Sequence, residues 1–366
     1  MCGYYGFNNA GDEAVLLALI QQIRRYLPGW EPVVLSADPD TTSRLYGVEA
    51  YHRWRWREVV REVRRCRALI SGGGSLLQDV TGRASLLYYL GVIWLAKLFR
   101  KPVFIYCQGL GPLIHPESRL LVRLTLARLE GIVLRDEESA ALLSSLGVNR
   151  EVLVSADPVL SLDPSGADPA GAEELLNRLG LEPAKGPILL VNLRPLPGPL
   201  RAREAELERA ARALVERFRA RGWQPLLVPL HWPADREICC RVEPQAVLGE
   251  PLPLPILLGL FSRANLVVGV RLHALVFAAL FGRPLVGLAY DPKVPALLRQ
   301  IGGTALELTD LEPERLVAAA TAAWEQRAQW QATLPQRLAP LRQRALAAPE
   351  YLRTRLEGNL RPSPTV

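Results

Sequence analysis

The sequence is poor in histidine, cysteine and methionine, and these scarcities exclude several classes of protein. Its 366 residues include four His, five Cys and one Met. The cysteines form neither a Cys-x-x-Cys motif nor a Cys/His spacing typical of zinc sites, so we predict no metal centre and no cofactor. An odd number of cysteines favours a reducing, cytoplasmic compartment over a disulfide-bonded secreted fold.

Lysine is also rare, although the chain is basic. Lysine and arginine together number 44, of which four are lysines, and the formal net charge is +7. This charge favours an acidic substrate, nucleic acid or an anionic membrane as a partner. Nucleic acid is not expected, because the basic residues form no dense run interleaved with aromatics. Lys293 stands out against the arginines, since an ammonium and a guanidinium are not interchangeable at an anion site.

Long apolar runs are absent. The longest, residues 84–99, is shorter than a typical membrane span and includes Lys97, so it predicts a buried helix, with an interfacial role as the alternative. The first residues lead directly into a glycine-rich loop, and no signal peptide is expected. The basic segment at residues 53–65 suits either a solvated surface or peripheral contact with anionic lipid at the inner membrane face.

Strand and helix patterns alternate along most of the chain, which predicts parallel sheets covered by helices. Turn formers at residues 163–171 and 182–187 interrupt the alternation. An Ala/Arg/Gln-rich helical region runs from residue 312 to about 346. We therefore predict three parts, with the ligand site in the cleft between the α/β domains. They are an N-terminal α/β domain (1–165), a C-terminal α/β domain (166–310), and a C-terminal helical segment and tail (311–366).

Two consecutive predicted strands lead into polar residues. One leads into Arg271 and His273, and the next leads into Asp291 and Lys293. Open α/β sheets bind ligands beyond the carboxyl ends of their strands. For His273 we favour a reacting group over a helix cap. His231, a lone loop histidine, is interpreted as structural.

Further candidates follow other strands. Arg135 and Arg194 suit either a surface ion pair or bidentate binding of a carboxylate or phosphate. The loop of Gly72, Gly73 and Gly74 either admits a ligand close to the backbone or serves only turn geometry.

Two carboxylates have equally open interpretations. Asp12 follows the glycine- and asparagine-rich loop at residues 3–11, where it is either a helix cap or a ligand-facing group. Asp79 either lines the site or caps a turn.

Taken together, the motifs resemble those of the polysaccharide pyruvyl transferase family, in particular its CsaB-type branch. They occur in the family order over roughly residues 3–300. The motifs are GYYGFNNAGDEA at 3–14, GGGSLLQD at 72–79, QGLGP at 108–112, LRDEES at 134–139, DP at 157–158, RLHA at 271–274 and YDPKV at 290–294. Family members usually have a full first strand before the first motif, whereas only Met1 and Cys2 precede it here, so a truncated first strand is expected.

The resemblance implies an α/β fold of two Rossmann-like domains in a GT-B-like arrangement. It implies transfer of the pyruvate unit of phosphoenolpyruvate to a sugar as a cyclic ketal, with release of phosphate. The acceptor implied for the CsaB-type branch is an N-acetylmannosamine unit of a lipid-linked cell-wall glycan, a modification used in S-layer anchoring. By family position, Arg271, Lys293 and Arg135 are the implied ligands of phosphoenolpyruvate.

His273 is the predicted general acid–base, because imidazole ordinarily titrates near neutral pH. Asp12, Asp79 or Asp291 is expected to assist it. Two alternatives stay open. A GT-B glycosyltransferase would bind a nucleotide sugar as its donor, and a non-enzymatic sugar- or lipid-binding module would bind without releasing phosphate.

Overall fold

The computed structural model describes residues 1–80 and 82–360, and the side chains of all of these except 359 and 360. The last six residues of the predicted C-terminal tail lie outside the described residues. Internal contacts divide the chain into two compact units. Among the described residues, the first comprises 1–7, 12–162 and 341–360, and the second comprises 8–11 and 163–340.

The first unit is built on parallel strands. They are β1 (Val33–Ser36), β2 (Glu49–His52), β3 (Leu69–Gly72), β4 (Val103–Gln108), β5 (Gly131–Leu134) and β6 (Leu153–Val154). β1 pairs with β2, and β3 to β6 pair in sequence order. Cys2 joins the two sets, since it bridges to Leu35 of β1 and to Ser71 of β3. Residues 1–2 therefore occupy the position of a short central strand.

Helices of the first unit follow its strands in βα repeats. They are α1 (Ala10–Tyr26), α2 (Pro39–Tyr46), α3 (Trp56–Arg65), α4 (Arg83–Leu98), α5 (Pro116–Leu126) and α6 (Glu137–Ser145). In α1 the predicted apolar face is buried, with Leu16, Leu19 and Ile20 almost inaccessible to solvent. The apolar run at residues 84–99 forms α4. Within the described chain, no helix is both long enough and apolar enough to cross a membrane.

The second unit contains a five-stranded parallel sheet in the order β11-β10-β9-β7-β8. Its strands are β7 (Ile188–Asn192), β8 (Gln224–Leu227), β9 (Leu266–Gly269), β10 (Leu285–Ala289) and β11 (Thr304–Glu307). Its helices are α7 (Pro169–Arg178), α8 (Glu204–Arg219), α9 (Ala234–Val242), α10 (Leu254–Arg263), α11 (Leu272–Leu280), α12 (Lys293–Ile301), α13 (Pro313–Glu325) and the start of α14 (Arg327–Leu360). α11 is apolar on nearly all sides, as expected for a helix buried in a core.

The predicted alternation of strands and helices is confirmed, but several short elements are not predicted. They are α2, α9 and α12 among the helices and β2, β6 and β11 among the strands. α2 is typical of these, because its Asp, Thr and Ser residues have low helix propensity and its start depends on a cap from Asp38. The predicted C-terminal helical region is two helices, α13 and α14, and it continues well past residue 346.

The second half of α14 packs into the core of the first unit. Ser155 donates a hydrogen bond from Oγ to the Arg344 carbonyl at 2.9 Å, and Gln22 donates to the Ala345 carbonyl at 3.4 Å. The buried positions recur every three or four residues along one face of the helix. They are Leu341, Ala345, Ala348, Leu352 and Leu356.

Leu352→Ala is expected to lower the free energy of unfolding of the first unit by about 2–5 kcal/mol, because it leaves a cavity under α14. The matched control is Leu346→Ala, the same change at an exposed position of the same helix, which should alter stability by no more than about 0.5 kcal/mol. Urea unfolding followed by circular dichroism measures both. Equal effects of the two substitutions would contradict the packing of α14 on this core.

Candidate functional site

One buried asparagine connects the carboxyl ends of three strands in the second unit. Asn192, the last residue of β7, accepts the backbone N–H of Arg271 on Oδ1 at 3.0 Å. Its Nδ2 donates to the Val228 carbonyl, after β8, at 2.8 Å. The Asn192 side chain is almost fully buried, so both hydrogen bonds form away from water. The backbone that leads into α11 is therefore held in a fixed position at the sheet edge.

Arg271 forms a bidentate ion pair with Asp235. Nε and Nη2 each lie 2.5 Å from a carboxylate oxygen of Asp235, which is inaccessible to solvent. The same carboxylate accepts the backbone N–H groups of Leu230 and His231, at 3.2 and 3.0 Å. The guanidinium edge formed by Nε and Nη2 is thus committed to Asp235 and does not face a ligand.

His231 belongs to this cluster. Burial lowers the pKa of His231, the positive charges of Arg271 and Arg194 lower it further, and Asp235 opposes them. Its imidazole is therefore neutral at neutral pH. His231 follows strand β8, so the strand-end position that selects His273 in the sequence applies equally to His231. From the sequence, His231 is interpreted as structural because a lone loop histidine more often is.

Arg194 follows β7 and is held against Tyr290. Its Nη1 donates to the Tyr290 hydroxyl at 2.8 Å, and its Cζ lies 4.5 Å from the centre of the Tyr290 ring. Its Nε donates to the Pro195 carbonyl at 3.1 Å. The combination of a hydrogen bond and a cation–π contact restricts the guanidinium to one orientation.

Asp291 and Lys293 form the start of α12. Asp291 Oδ1 accepts the backbone N–H of Lys293 at 3.0 Å, which is the contact of a capping carboxylate. Because β9 and β10 are paired parallel neighbours, the residues that follow them lie on the same edge of the sheet. The structure thus brings Arg194, Arg271, Asp291 and Lys293 to one side of the second unit.

His273 is the second residue of α11, and its ring lies directly against Gly11. A methyl group added at Gly11 would lie 2.2 Å from His273 Nδ1. Position 11 therefore has to be glycine for the imidazole to keep this position. On its other side the ring lies near Phe277, with ring centres 6.1 Å apart.

The loop at residues 8–11 is bound to the chain around His231. Asn9 forms an antiparallel bridge with His231, and the Ala10 N–H donates to the Leu230 carbonyl at 2.7 Å. Asn9 Oδ1 also accepts the Gly11 N–H at 3.2 Å. This part of the first sequence motif therefore contacts both histidines of the second unit.

In the first unit, the glycine loop has a packing reason for its composition. Gly73 and Gly74 adopt φ values of +70° and +63°, which favour glycine. A methyl group at Gly73 would lie 2.0 Å from Val15, and one at Gly74 would lie 2.8 Å from Asp12 Oδ1. Gly72 faces Leu19 in the same way, at 2.4 Å. Turn geometry and close packing explain these glycines, and their ligand-binding role stays a prediction.

Arg135 is buried among polar groups of the first unit. Its Nη1 lies 3.4 Å from Asp157, its Nε lies 3.6 Å from Asp136, and its Nη2 lies 3.4 Å from Ser75 Oγ. These distances are longer than those of a tight bidentate pair such as Arg271–Asp235. Arg135 lies next to the glycine loop, because a methyl group at Gly109 would lie both 3.0 Å from Arg135 Nη2 and 3.5 Å from the Gly74 carbonyl oxygen.

Asp79 anchors a loop. Its two carboxylate oxygens accept the backbone N–H groups of Ile114 and His115 at 2.8 and 3.0 Å. Burial acts to raise the pKa of Asp79, but these two hydrogen bonds and one from Ser118 outweigh it and hold the pKa below its ordinary value. These contacts are those of the turn-capping interpretation, and a catalytic role for Asp79 stays a prediction.

The described residues include no group of three or more His, Cys, Asp or Glu side chains arranged to hold a metal ion. The second unit instead collects arginines, a lysine and two histidines at one sheet edge. Such a set can bind an anion and can exchange a proton with it.

The family profile described as "Polysaccharide pyruvyl transferase" matches residues 9–292. This range includes most of the motifs quoted above and the greater part of both units. The chain belongs to the polysaccharide pyruvyl transferase family.

A curated relative of this pyruvyl transferase family member is the amylovoran biosynthesis protein AmsJ of Erwinia amylovora. The two are 23% identical over 253 residues, which cover 64% of this chain. The match spans 59% of the length of AmsJ.

Solved structures resemble the family member over nearly its whole length. Anabaena Alr3699/HepE in complex with UDP-glucose has a TM-score of 0.63 at 14% identity, covering 98% of both chains. The S. aureus MnaA–UDP structure has a TM-score of 0.66 at 12% identity, covering 98% of this chain and 96% of the other. UDP-GlcNAc 2-epimerase from Neisseria meningitidis, bound to UDP-GlcNAc, has a TM-score of 0.64 at 12% identity, covering 96% and 99%. These similarities confirm the predicted α/β class with a GT-B fold.

Arg271→Gln is expected to raise the pKa of His231, because it removes a positive charge that disfavours the imidazolium. The matched control, Arg201→Gln at an exposed position, should leave it unchanged. NMR titration measures both, with His231→Gln to assign the signal. An unchanged His231 pKa in Arg271→Gln would show that the two groups are not coupled.

The lowered pKa of His231 also makes the stability of the folded protein depend on pH. The unfolded chain binds a proton at the ordinary histidine pKa of 6.5, above that of folded His231. The stability that comes from a neutral His231 is therefore fully present above pH 6.5. It is lost as the pH falls through the pKa of His231 in the folded protein.

Proposed function

We propose that the protein transfers the pyruvate unit of phosphoenolpyruvate to a sugar of a surface polysaccharide precursor, as a cyclic ketal, and releases phosphate. Family membership supports polysaccharide pyruvylation in general. The observation that supports an anionic donor is the collection of Arg194, Arg271 and Lys293 at one sheet edge, beside the N-terminus of α11. A helix N-terminus adds partial positive charge and backbone donors at such a place.

Each cation has a separate role in the proposal. Phosphoenolpyruvate carries a carboxylate and a phosphate, so it requires at least two positive partners. We assign these to Arg194, which Tyr290 orients, and to Lys293, which begins α12. Arg271 contributes positive charge from its ion pair with Asp235, and Asp235 acts as a positioning residue.

The proposed chemistry begins with proton transfer from His273 to the methylene carbon of phosphoenolpyruvate. The adjacent carbon becomes an oxocarbenium-like centre, and a sugar hydroxyl adds to it. Phosphate leaves with the C–O bond electrons, and a second hydroxyl closes the ring. Of the two protons released by the sugar hydroxyls, one returns to the His273 imidazole and the other leaves with phosphate. Positive side chains stabilise the charge on phosphate as it departs.

Three carboxylates were predicted to assist His273, and their contacts distinguish them. Asp79 accepts two backbone N–H groups, and Asp291 caps α12. We propose Asp12 as the carboxylate that activates an acceptor hydroxyl, because it directly follows Gly11, which lies against the His273 ring. Arg135 and the glycine loop at residues 72–74 remain proposed substrate ligands of the first unit.

We propose N-acetylmannosamine in a cell-wall glycan precursor as the acceptor, on the strength of the CsaB-type motifs. The name of AmsJ connects that relative with a different polysaccharide, amylovoran. The acceptor test therefore needs both N-acetylmannosamine and other hexoses.

All five cysteines are free thiols, which supports the proposed cytoplasmic location.

A nucleotide-sugar glycosyltransferase is the second candidate. Three of the similar structures contain UDP, UDP-glucose or UDP-GlcNAc, although at 12–14% identity they show the fold alone. This candidate predicts saturable binding of a nucleotide sugar and no consumption of phosphoenolpyruvate.

The deciding experiment measures phosphate release from phosphoenolpyruvate with and without acceptor, with mass spectrometry of the acceptor. We expect release that depends on an N-acetylmannosamine-containing acceptor, together with the mass gain of a pyruvate ketal. Binding of phosphoenolpyruvate with no product from any tested acceptor would mean that the donor is correct and that the proposed acceptor sugar is not. Failure to bind phosphoenolpyruvate, with binding of a nucleotide sugar, would favour the glycosyltransferase.

His273→Gln is expected to lower kcat by a factor on the order of 10²–10⁴, the usual contribution of a positioned acid–base group, with little change in the KM for phosphoenolpyruvate. The matched control is His115→Gln, an exposed histidine outside the proposed site, which should retain wild-type kcat. Near-wild-type turnover of His273→Gln, measured with the same assay, would refute its role as the acid.

A further inference from the structure

Large apolar side chains are exposed along one side of α4. Leu87, Trp94 and Leu98 have 46%, 42% and 75% of their surfaces accessible. They recur at intervals of seven and four residues, which places them on one face of the helix. The opposite face is buried in the first unit, with Tyr89, Val92 and Ala96 among its core residues. α4 therefore has an apolar stripe on both sides, and only one of them contacts the core.

The neighbouring helix α5 continues this exposed surface. Leu120 and Leu124, four residues apart, are each about half accessible, at 53% and 51%. The Trp94 Nε1 of α4 donates to Thr125 Oγ1 of α5 at 2.8 Å, so the two helices meet at these residues. We call Leu87, Trp94, Leu98, Leu120 and Leu124 the α4–α5 face.

Positive charge is concentrated in the same part of the chain. Residues 53–130 contain fourteen Lys and Arg against five Asp and Glu, a formal net charge of +9, which exceeds the +7 of the whole protein. Arg100, Arg123 and Arg128 are exposed on or just beyond α4 and α5. The remainder of the protein is therefore slightly acidic, and the basic character belongs to this part of the first unit.

Some arginines of the predicted lipid-contacting segment at residues 53–65 are engaged within the protein. Arg53 is buried, with aromatic rings around its guanidinium at 4.4–5.3 Å. Arg61 and Arg65 pair with Glu62 at 2.7 and 3.5 Å. Trp54 and Trp56 of the same segment are exposed, so lipid contact by this segment stays a prediction, and the α4–α5 face offers a larger apolar surface.

We propose that the α4–α5 face is the surface by which the protein docks on an anionic lipid membrane. Peripheral binding requires both apolar side chains that enter the headgroup boundary and basic residues that attract anionic lipids, since one of these terms alone gives marginal attachment. The α4–α5 face supplies the apolar side chains, and the neighbouring Arg100, Arg123 and Arg128 supply the basic ones. A tryptophan indole suits the interface between headgroups and hydrocarbon. The excess positive charge favours this occupant over a second copy of the same basic chain.

The test is co-sedimentation of the full chain with vesicles of phosphatidylcholine, with and without phosphatidylglycerol. We expect binding only when phosphatidylglycerol is present, and we expect it to weaken at high salt because the arginine contribution is screened. This readout needs neither phosphoenolpyruvate nor an acceptor. It therefore stands or falls independently of the proposed function.

Two pairs of substitutions separate the apolar and the basic contributions. Leu98→Ser with Leu124→Ser, and Arg123→Glu with Arg128→Glu, should each reduce vesicle binding by about tenfold or more. The matched controls are Leu179→Ser with Leu346→Ser, and Arg201→Glu with Arg209→Glu, at exposed positions elsewhere. The controls should bind like the wild type, and circular dichroism verifies that all variants fold.

Absence of binding to phosphatidylglycerol vesicles would overturn the proposal. Equal losses in the face variants and in their controls would overturn it as well, because binding would then follow overall charge or hydrophobicity. Sedimentation velocity addresses the other occupant of an apolar face. A dimer that becomes a monomer only in Leu98→Ser with Leu124→Ser, and that does not bind vesicles, would show that a second copy covers the face.

Discussion

The buried ion pair between Asp235 and Arg271 determines the arrangement of the sheet edge in the second unit. Asp235 has no access to water, so its negative charge is tolerable only because four N–H donors surround it. Removing either partner would leave a buried charge uncompensated, a change that typically costs about 3–5 kcal/mol. The pair also holds the His231 backbone, while Asn192 holds that of Arg271. The positions of both neighbouring loops follow from these contacts.

This constraint divides the cations at the edge into two kinds. Arg271 is directed at Asp235 and lends its charge to the surroundings, where it helps to keep His231 neutral. Arg194 is oriented by an aromatic ring, and Lys293 begins a helix. Arg194 has the Tyr290 ring and hydroxyl as a neutral partner, so it keeps more of its charge for a ligand than a cation paired with a buried carboxylate. In the proposed reaction Arg194 and Lys293 are the residues that bind phosphoenolpyruvate.

The glycines of the sequence motifs serve packing as much as ligand access. Gly11 admits the His273 ring, and Gly73 admits the side chain of Val15. In each case a methyl group would overlap a neighbouring atom, so these motif positions require glycine for close packing within the protein. A motif of this kind identifies the family reliably, but its glycines do not by themselves identify ligand contacts.

The sequence by itself determined the class of fold and the strand ends at which the candidate residues lie. Periodicity depends on neighbours along the chain, and the motif order is a property of the sequence alone. Short polar elements such as α9 were not predictable, because their stability comes from packing and caps rather than propensity. Only the tertiary structure decided which partner each charged group meets. Asp235, unremarkable in sequence, binds Arg271 from 36 residues away. Asp79, for which a catalytic role stays a prediction, accepts two backbone N–H groups. Side-chain partners are set by three-dimensional proximity, which no local pattern of residues encodes.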